Sequence, residues 1–291
     1  MGNTVTVSVF GPGALGSALI DFTLNHTDEF RLHSVWGRPE SDCYLFSESE
    51  KLPANKSFPQ EENELGELIF LSVPDDKIAP IAGRLSHLSL NWGNRKVAHF
   101  SGSHSSDLLQ PLSVKGASVA SMHPLQTFTK GDAARRFENI WFTLEGDKKL
   151  FPVLERFIHK AGAKSKRMNP EQKKVMHLAA VFASNYLVSL MNAAEKITRE
   201  NEIENGIEML QPLIRQTLNN ILNKGVEKSL SGPILRGDQS TIRSHLKLMD
   251  NQPDLRQLYK HLGIQASQIA SNSGRLDEKV SESIKKILSG E

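Results

Sequence analysis

Apolar positions along this chain change period once. As far as about residue 144 they come in short runs, the pattern of strands covered on both faces. The runs are residues 4–10, Phe30 to Trp36, Glu67 to Val73, Lys96 to Phe100, Ala117 to Met122 and Ile140 to Leu144. Helical segments fit between them, after Gly16, from Lys77, from Ser105-Ser106-Asp107 and from Phe151 to Ala161. Residues 40–64 are polar and weakly patterned, with room for a short third strand. After Arg167-Met168-Asn169-Pro170 the strand pattern stops. Asn169 can cap a helix that has Pro170 at its first position. One long helix is expected over roughly 170–200, carrying Val175, Leu178, Val181, Phe182, Leu187 and Leu190. A second runs from about Glu204 through Ile207, Leu210, Ile214, Leu218 and Ile221, and Gly225 ends it. Shorter helices complete the chain, the last over Leu276 to Leu288. The domain boundary is therefore expected near residue 168, giving parts of 1–168 and 169–291.

The first run leads into Gly11-Pro12-Gly13-Ala14-Leu15-Gly16 and then a segment that can wind as a helix. Strand, G-x-G-x-x-G and helix together form the context of a dinucleotide-binding turn. Gly11 permits the tight turn, Gly13 lets a pyrophosphate approach the backbone, and Gly16 lets helix and strand pack closely. Unpaired N–H groups at the helix start then face the diphosphate. The fold class expected is α/β, a Rossmann-type doubly wound sheet followed by an all-α C-terminal domain. An NAD-preferring unit carries an acid about 20 residues past the glycines. Here Trp36-Gly37-Arg38 holds that place, and a guanidinium suits the 2′-phosphate of NADP. Ser72, Val73, Pro74 and Asp75 follow a strand's carboxyl end and are expected to border the cofactor. One of Asp75 and Asp76 is expected to cap the helix that follows.

Composition narrows the class. The chain has 291 residues, is 38% hydrophobic and 23% charged, and so can build a core. Its net charge of +2 gives no ground for a nucleic-acid partner. With one cysteine, Cys43, no intrachain disulfide can form, and a reducing, cytoplasmic setting is expected. No apolar run approaches membrane-spanning length and no basic leader precedes the first strand, so no membrane partner is expected. Met1-Gly2 with Thr6 matches a loose myristoylation pattern, but Thr6 is better used inside the strand. No metal site is expected.

Candidate chemistry gathers at strand ends. His123-Pro124 follows a short strand, where catalytic groups collect in such sheets. His99 lies within a strand and reads as a hydrogen-bonded core residue. Ser101 and Ser103 follow that strand and can hydrogen-bond a substrate or a nicotinamide amide. His104, Ser105 and Asp107 do not make a hydrolase triad, because triad members converge from separate parts of a fold and no G-x-S-x-G elbow exists here. On the long helix, Lys174, His177, Val181, Ser184 and Asn185 fall at helical spacing and suggest the wall of a substrate cleft. Near the C-terminal end, Gly232-Pro233 and Gly237 frame Arg236 and Asp238. Asp238 is a favoured N-cap, and Arg236 is a candidate clamp for a carboxylate or phosphate.

The motifs Gly11–Gly16, Val73-Pro74-Asp75-Asp76, His99-Phe100-Ser101-Gly102, Ser121 to Gln126, His177 to Asn185 and Ser231 to Asp238 occur in that order. Together they resemble a bacterial family that joins a Rossmann-like NADP-binding domain to a helical domain of unknown function. Its members are described as candidate NADP oxidoreductases. The arrangement is more distantly similar to ketopantoate reductase, pyrroline-5-carboxylate reductase, the β-hydroxyacid dehydrogenases and the deazaflavin-dependent NADP oxidoreductases. The resemblance implies an oxidoreductase of a small carbonyl or imine, with NADP as cofactor and a homodimer formed by the helical domain. Relatives place a catalytic lysine on the first long helix and an asparagine one or two turns later. The comparable face here has His177 and Asn185, with Lys173 or Lys174 one turn before. His177 or His123 is then the expected proton donor, with Asn185, Ser101 and Arg236 as substrate contacts. The alternatives are an NADP-binding sensor without turnover, and hydride transfer with a flavin or deazaflavin.

Overall fold

The computed structural model describes residues 4–38, 42–43, 52–55, 57–129 and 134–290. Met1 and Gly2 of the myristoylation pattern lie outside the described residues. The chain divides into two compact units, Met1–Ser184 and Asn185–Glu291.

The first unit is built on β1 (Val5–Phe10), α1 (Ala14–Asn25) and β2 (Phe30–Trp36). A two-residue antiparallel ladder follows, β3 (Asp42–Cys43) with β4 (Leu52–Pro53). Then come β5 (Leu68–Leu71), α2 (Asp75–Ser86), β6 (Lys96–His99), α3 (Gln110–Ser113) and β7 (Ser118–Pro124). β8 (Trp141–Gly146), α4 (Phe151–Lys160), β9 (Lys164–Arg167) and α5 (Pro170–Ala183) close the unit. The seven-stranded sheet has the order β2-β1-β5-β6-β7-β8-β9. All pairings are parallel except β7 with β8. Strand order therefore reverses between β1 and β5, the place where open α/β sheets bind ligands.

β5 shows why the central strands read as unbroken apolar runs. Leu68 and Phe70 point into one buried cluster, Ile69 and Leu71 into the other, and all four are fully buried. Alternation disappears when both faces are covered. The first cluster centres on Phe157, whose ring meets Phe22 at 4.3 Å, Phe30 at 5.2 Å and Phe70 at 5.2 Å. β9 was not legible as a strand. Lys-Ser-Lys-Arg has no apolar pattern, because β9 is an outer strand and charge there opposes edge-to-edge pairing.

The second unit is helical: α6 (Asn185–Glu200), α7 (Gly206–Lys224), α8 (Val226–Ser229), α9 (Gln239–Leu248), α10 (Pro253–Asn272) and α11 (Glu278–Ser289). Its core joins Ile242, Leu246 and Met249 to Ile284, Ile287 and Leu288. The single long helix expected over 170–200 is broken at Ser184, where the backbone reaches φ −119° and ψ −71°. The stretch Pro170–Glu200 is nevertheless long and apolar enough to cross a membrane by length and composition, and none of its most apolar window is buried. No uninterrupted apolar run marks it in the sequence. Its hydropathy comes instead from an absence of charge between Val175 and Asn192.

Candidate functional site

The glycine turn has the geometry its spacing predicts. Gly11 has φ +86°, and a Cβ there would lie 2.7 Å from the Ser72 carbonyl oxygen. A Cβ on Gly16 would collide with the Gly11 carbonyl oxygen. Gly13 differs from both, since a Cβ there meets nothing within 4 Å. No side chain caps α1, and its first turn holds no acid. The first N–H groups of α1 thus have no side-chain cap among the described residues, and the cap position itself has room beside it. Such an end suits a diphosphate.

Neighbouring strand ends hold this turn in place. Gly11 N donates to Trp36 O at 2.8 Å, which sets the end of β2 and Gly37-Arg38 beside it. Ser72 Oγ lies 2.9 Å from both Phe10 O and Gly11 O. Ser72 thus supports the turn through its carbonyls. Neither Asp75 nor Asp76 caps α2, contrary to expectation. Pro74 occupies the cap position, no side chain bonds there, and Asp76 pairs with Lys77 at 2.8 Å.

Asp75 instead reaches the loop after β6. Its Oδ2 accepts from Ser101 Oγ at 2.7 Å and Ser103 Oγ at 3.1 Å, with His104 Nε2 3.9 Å away. Ser101 Oγ also accepts from His104 N at 3.1 Å. His99 is fully buried beneath this loop. Its Nε2 donates to Ser105 O at 2.9 Å, while Nδ1 accepts from Ser101 N at 3.2 Å. Both ring nitrogens are occupied, and burial pushes the imidazole down to about 4. His99 is the hydrogen-bonded core residue expected.

Two other histidines meet over Gly102. His123 Nδ1 lies 2.9 Å from Phe100 O. Because a carbonyl only accepts, Nδ1 carries the hydrogen and Nε2 is left with its lone pair. Burial holds His123 below the usual histidine range. The His177 ring stands edge-on to it, with centroids 5.7 Å apart. A Cβ on Gly102 would strike His177 Nδ1 and lie 2.9 Å from His123 Nε2. Both nitrogens thus fill the place that a side chain at residue 102 would take. His177 Nδ1 is buried and finds no hydrogen-bond partner among the described residues.

The register of α5 decides between its two lysines. Lys174 is exposed and pairs with Glu171 at 2.9 Å. Lys173 turns inward and is only 2% exposed. Asn185 opens α6 and Arg236 is exposed before α9, both in the second unit. Asp238 caps α9, accepting from Thr241 N at 3.0 Å, Thr241 Oγ1 at 2.6 Å and Ser240 Oγ at 2.8 Å. These donors pull its carboxyl down to about 2.

Residues 3–124 match the Rossmann-like domain family, and residues 140–266 match a domain of unknown function, DUF2520. This chain is a Rossmann-like domain joined to a DUF2520 domain. The Rossmann-like match ends just beyond His123, and the DUF2520 match contains Lys173 and His177. No curated protein matches the chain. Solved structures repeat its two-domain layout. A candidate NADP oxidoreductase of Bacteroides fragilis, BF3122, is 20% identical with TM-score 0.70, over 90% of this chain and 98% of its own. Protein TM1727 of Thermotoga maritima is 22% identical with TM-score 0.65, over 91% and 98%. An imine reductase of Myxococcus stipitatus, solved with NADP+, is 15% identical with TM-score 0.59, over 96% and 99%. At these identities the likeness establishes the fold.

The structure brings His123, His177 and Ser101 together in the first unit. Sequence reasoning did not find Gly102 under the rings, Asp75 as the loop's anchor, or the inward turn of Lys173. A glycine between two serines at a strand's carboxyl end was the available signal for Gly102.

Proposed function

We propose that this chain is an NADP-dependent oxidoreductase that reduces the carbonyl or imine group of a small molecule. The observation that carries the reading is the pairing, at the carboxyl ends of the parallel strands, of an uncapped helix start with two histidine rings packed on Gly102. At the end of β1, an uncapped helix N-terminus starts at Gly13, where a Cβ would meet nothing within 4 Å. Beyond β6 and β7, two imidazole nitrogens converge over Gly102. The imine reductase with NADP+ and the candidate NADP oxidoreductase share the fold, which supports the same chemistry here.

The residues present fit the cofactor. The backbone N–H groups of Ala14, Leu15 and Gly16 would hold the diphosphate. Arg38, just past β2, would meet the 2′-phosphate, with Gly37 giving room beside it. When bound, NADPH supplies the hydride. The chain's own task is to place the substrate and move a proton. His123 or His177 would exchange the proton, since the two rings meet edge-on over Gly102. His123 Nδ1 is committed to Phe100 O, so proton gain and loss at Nε2 leave the ring in place.

Calorimetric titration of NADP and NAD into wild type and Arg38→Ala tests the cofactor assignment. Loss of a charge-assisted phosphate contact should weaken NADP binding by about tenfold or more and leave NAD unchanged. NAD binding the wild type as tightly as NADP would sink the assignment of Arg38. NADPH oxidation against a panel of carbonyls and imines then tests the activity.

A further inference from the structure

Among the described residues, Lys173 is the largest charged side chain buried in the first unit, and the chemistry above makes no use of it. Its Nζ donates to Ser101 O at 2.6 Å, Gly102 O at 3.0 Å and His104 O at 2.6 Å. An ammonium has three N–H groups, so these carbonyls occupy all of them. A lysine acting as acid needs an N–H aimed at its substrate, and none is left. Losing the proton would also leave three buried carbonyls facing at most two donors. Although burial pushes Lys173 down to about 8, it stays charged at neutral pH.

The position of Lys173 gives it a different task. His177 lies four residues further along α5, on the same helix face. The turn that carries the lysine therefore also carries the ring above Gly102. The loop is held from other sides by Asp75 through Ser101 and Ser103, and by Ser121 Oγ, which donates to Ser101 O at 3.2 Å. From the helix that bears His177, Lys173 grips three carbonyls of this one loop, those of Ser101, Gly102 and His104.

We propose that Lys173 is a positioning residue that latches the 101–104 loop to α5, fixes Gly102 beneath His123 and His177, and leaves proton exchange to the imidazoles. Proton exchange by the imidazoles rests on the oxidoreductase reading, whereas the latch itself does not.

Two measurements on the full chain decide it without a known substrate. The first is competitive acetylation of wild type, read by mass spectrometry. Lys173 should react at least about tenfold more slowly than its exposed neighbour Lys174, because reaction requires the loop to open. Equal rates would overturn the latch. The second compares wild type with Lys173→Met by amide hydrogen exchange and by NMR titration of the histidine rings. Exchange at residues 101–104 should rise by about tenfold or more. The His123 titration should move upward, since the lysine charge beside it opposes protonation. A folded variant with unchanged loop exchange and unchanged histidine titration would overturn the proposal. Should the variant fail to fold, acetylation of the wild type still decides. NADP binding is titrated separately, so a wild type that binds no NADP removes the proposed function and leaves the latch to its own result.

Discussion

At the scale of single residues, the glycines divide by what surrounds them. Gly11 and Gly16 serve the protein, because added atoms meet backbone. Gly13 leaves room for what binds, because a Cβ there would meet nothing within 4 Å among the described residues. Gly13→Val should therefore fold with a melting temperature near wild type and lose dinucleotide binding in a fluorescence titration. Gly16→Ala should instead cost about 2–3 kcal/mol of stability in a urea melt, the penalty of overpacking against fixed backbone. Binding by folded Gly13→Val would remove the turn from the cofactor site. Gly102 belongs with Gly13 in kind. In Gly102→Ala the new methyl group displaces the rings of His123 and His177. The His123 titration, followed by NMR, should then rise toward the ordinary range as burial is relieved. NADP affinity should hold, while any turnover found falls. An unchanged titration would show that the rings do not rest on Gly102.

At the scale of elements, helix starts show how one residue type serves different ends. Asp238 caps α9 as a favoured N-cap should, whereas Asp75 stands at a helix start and bonds elsewhere. The difference lies in the partner segment, since Ser101 and Ser103 come within reach of Asp75 only through the β5–β6 pairing. The cap makes a pH prediction. The folded carboxyl of Asp238 is depressed from 3.8 to about 2, so its contribution is fully present above pH 4. It is lost as pH falls through the folded value. Asp238→Ala should lower the melting temperature at pH 7, with the gap to wild type narrowing from pH 4 down to pH 2. A gap that stays constant across that range would deny the carboxylate this role.

At the scale of the molecule, the two units bury their apolar residues unequally. Within the first unit, α5 exposes Val175, Leu178 and Phe182 at helical spacing. Within the second, α7 exposes Met209, Leu213 and Leu222, while α9, α10 and α11 share a closed core. Apolar faces of this extent mark interfaces. We propose that a second copy of the chain covers them, as expected for a homodimer formed by the helical part. Light scattering at micromolar concentration should give twice the mass of 32.3 kDa. Leu213→Asp should shift it to the monomer. A monomeric wild type would leave these faces unexplained by self-association.

The sequence by itself determined the parts of this protein that depend on neighbours along the chain. The glycine turn, the buried strand runs, the change to helical period and the caps at Asn169 and Asp238 all rest on a few adjacent residues. The candidate site was legible as far as His123 and His177, since each stands at a readable place on its own element. What joins them was decided only by tertiary structure. Lys173 finds its carbonyls 69 to 72 residues away, and Asp75 finds Ser101 26 residues away. Neither Lys173 nor Lys174 carries a local mark of which one faces inward. That choice follows from the packing of α5, because a buried ammonium is stable only where carbonyls already wait for it.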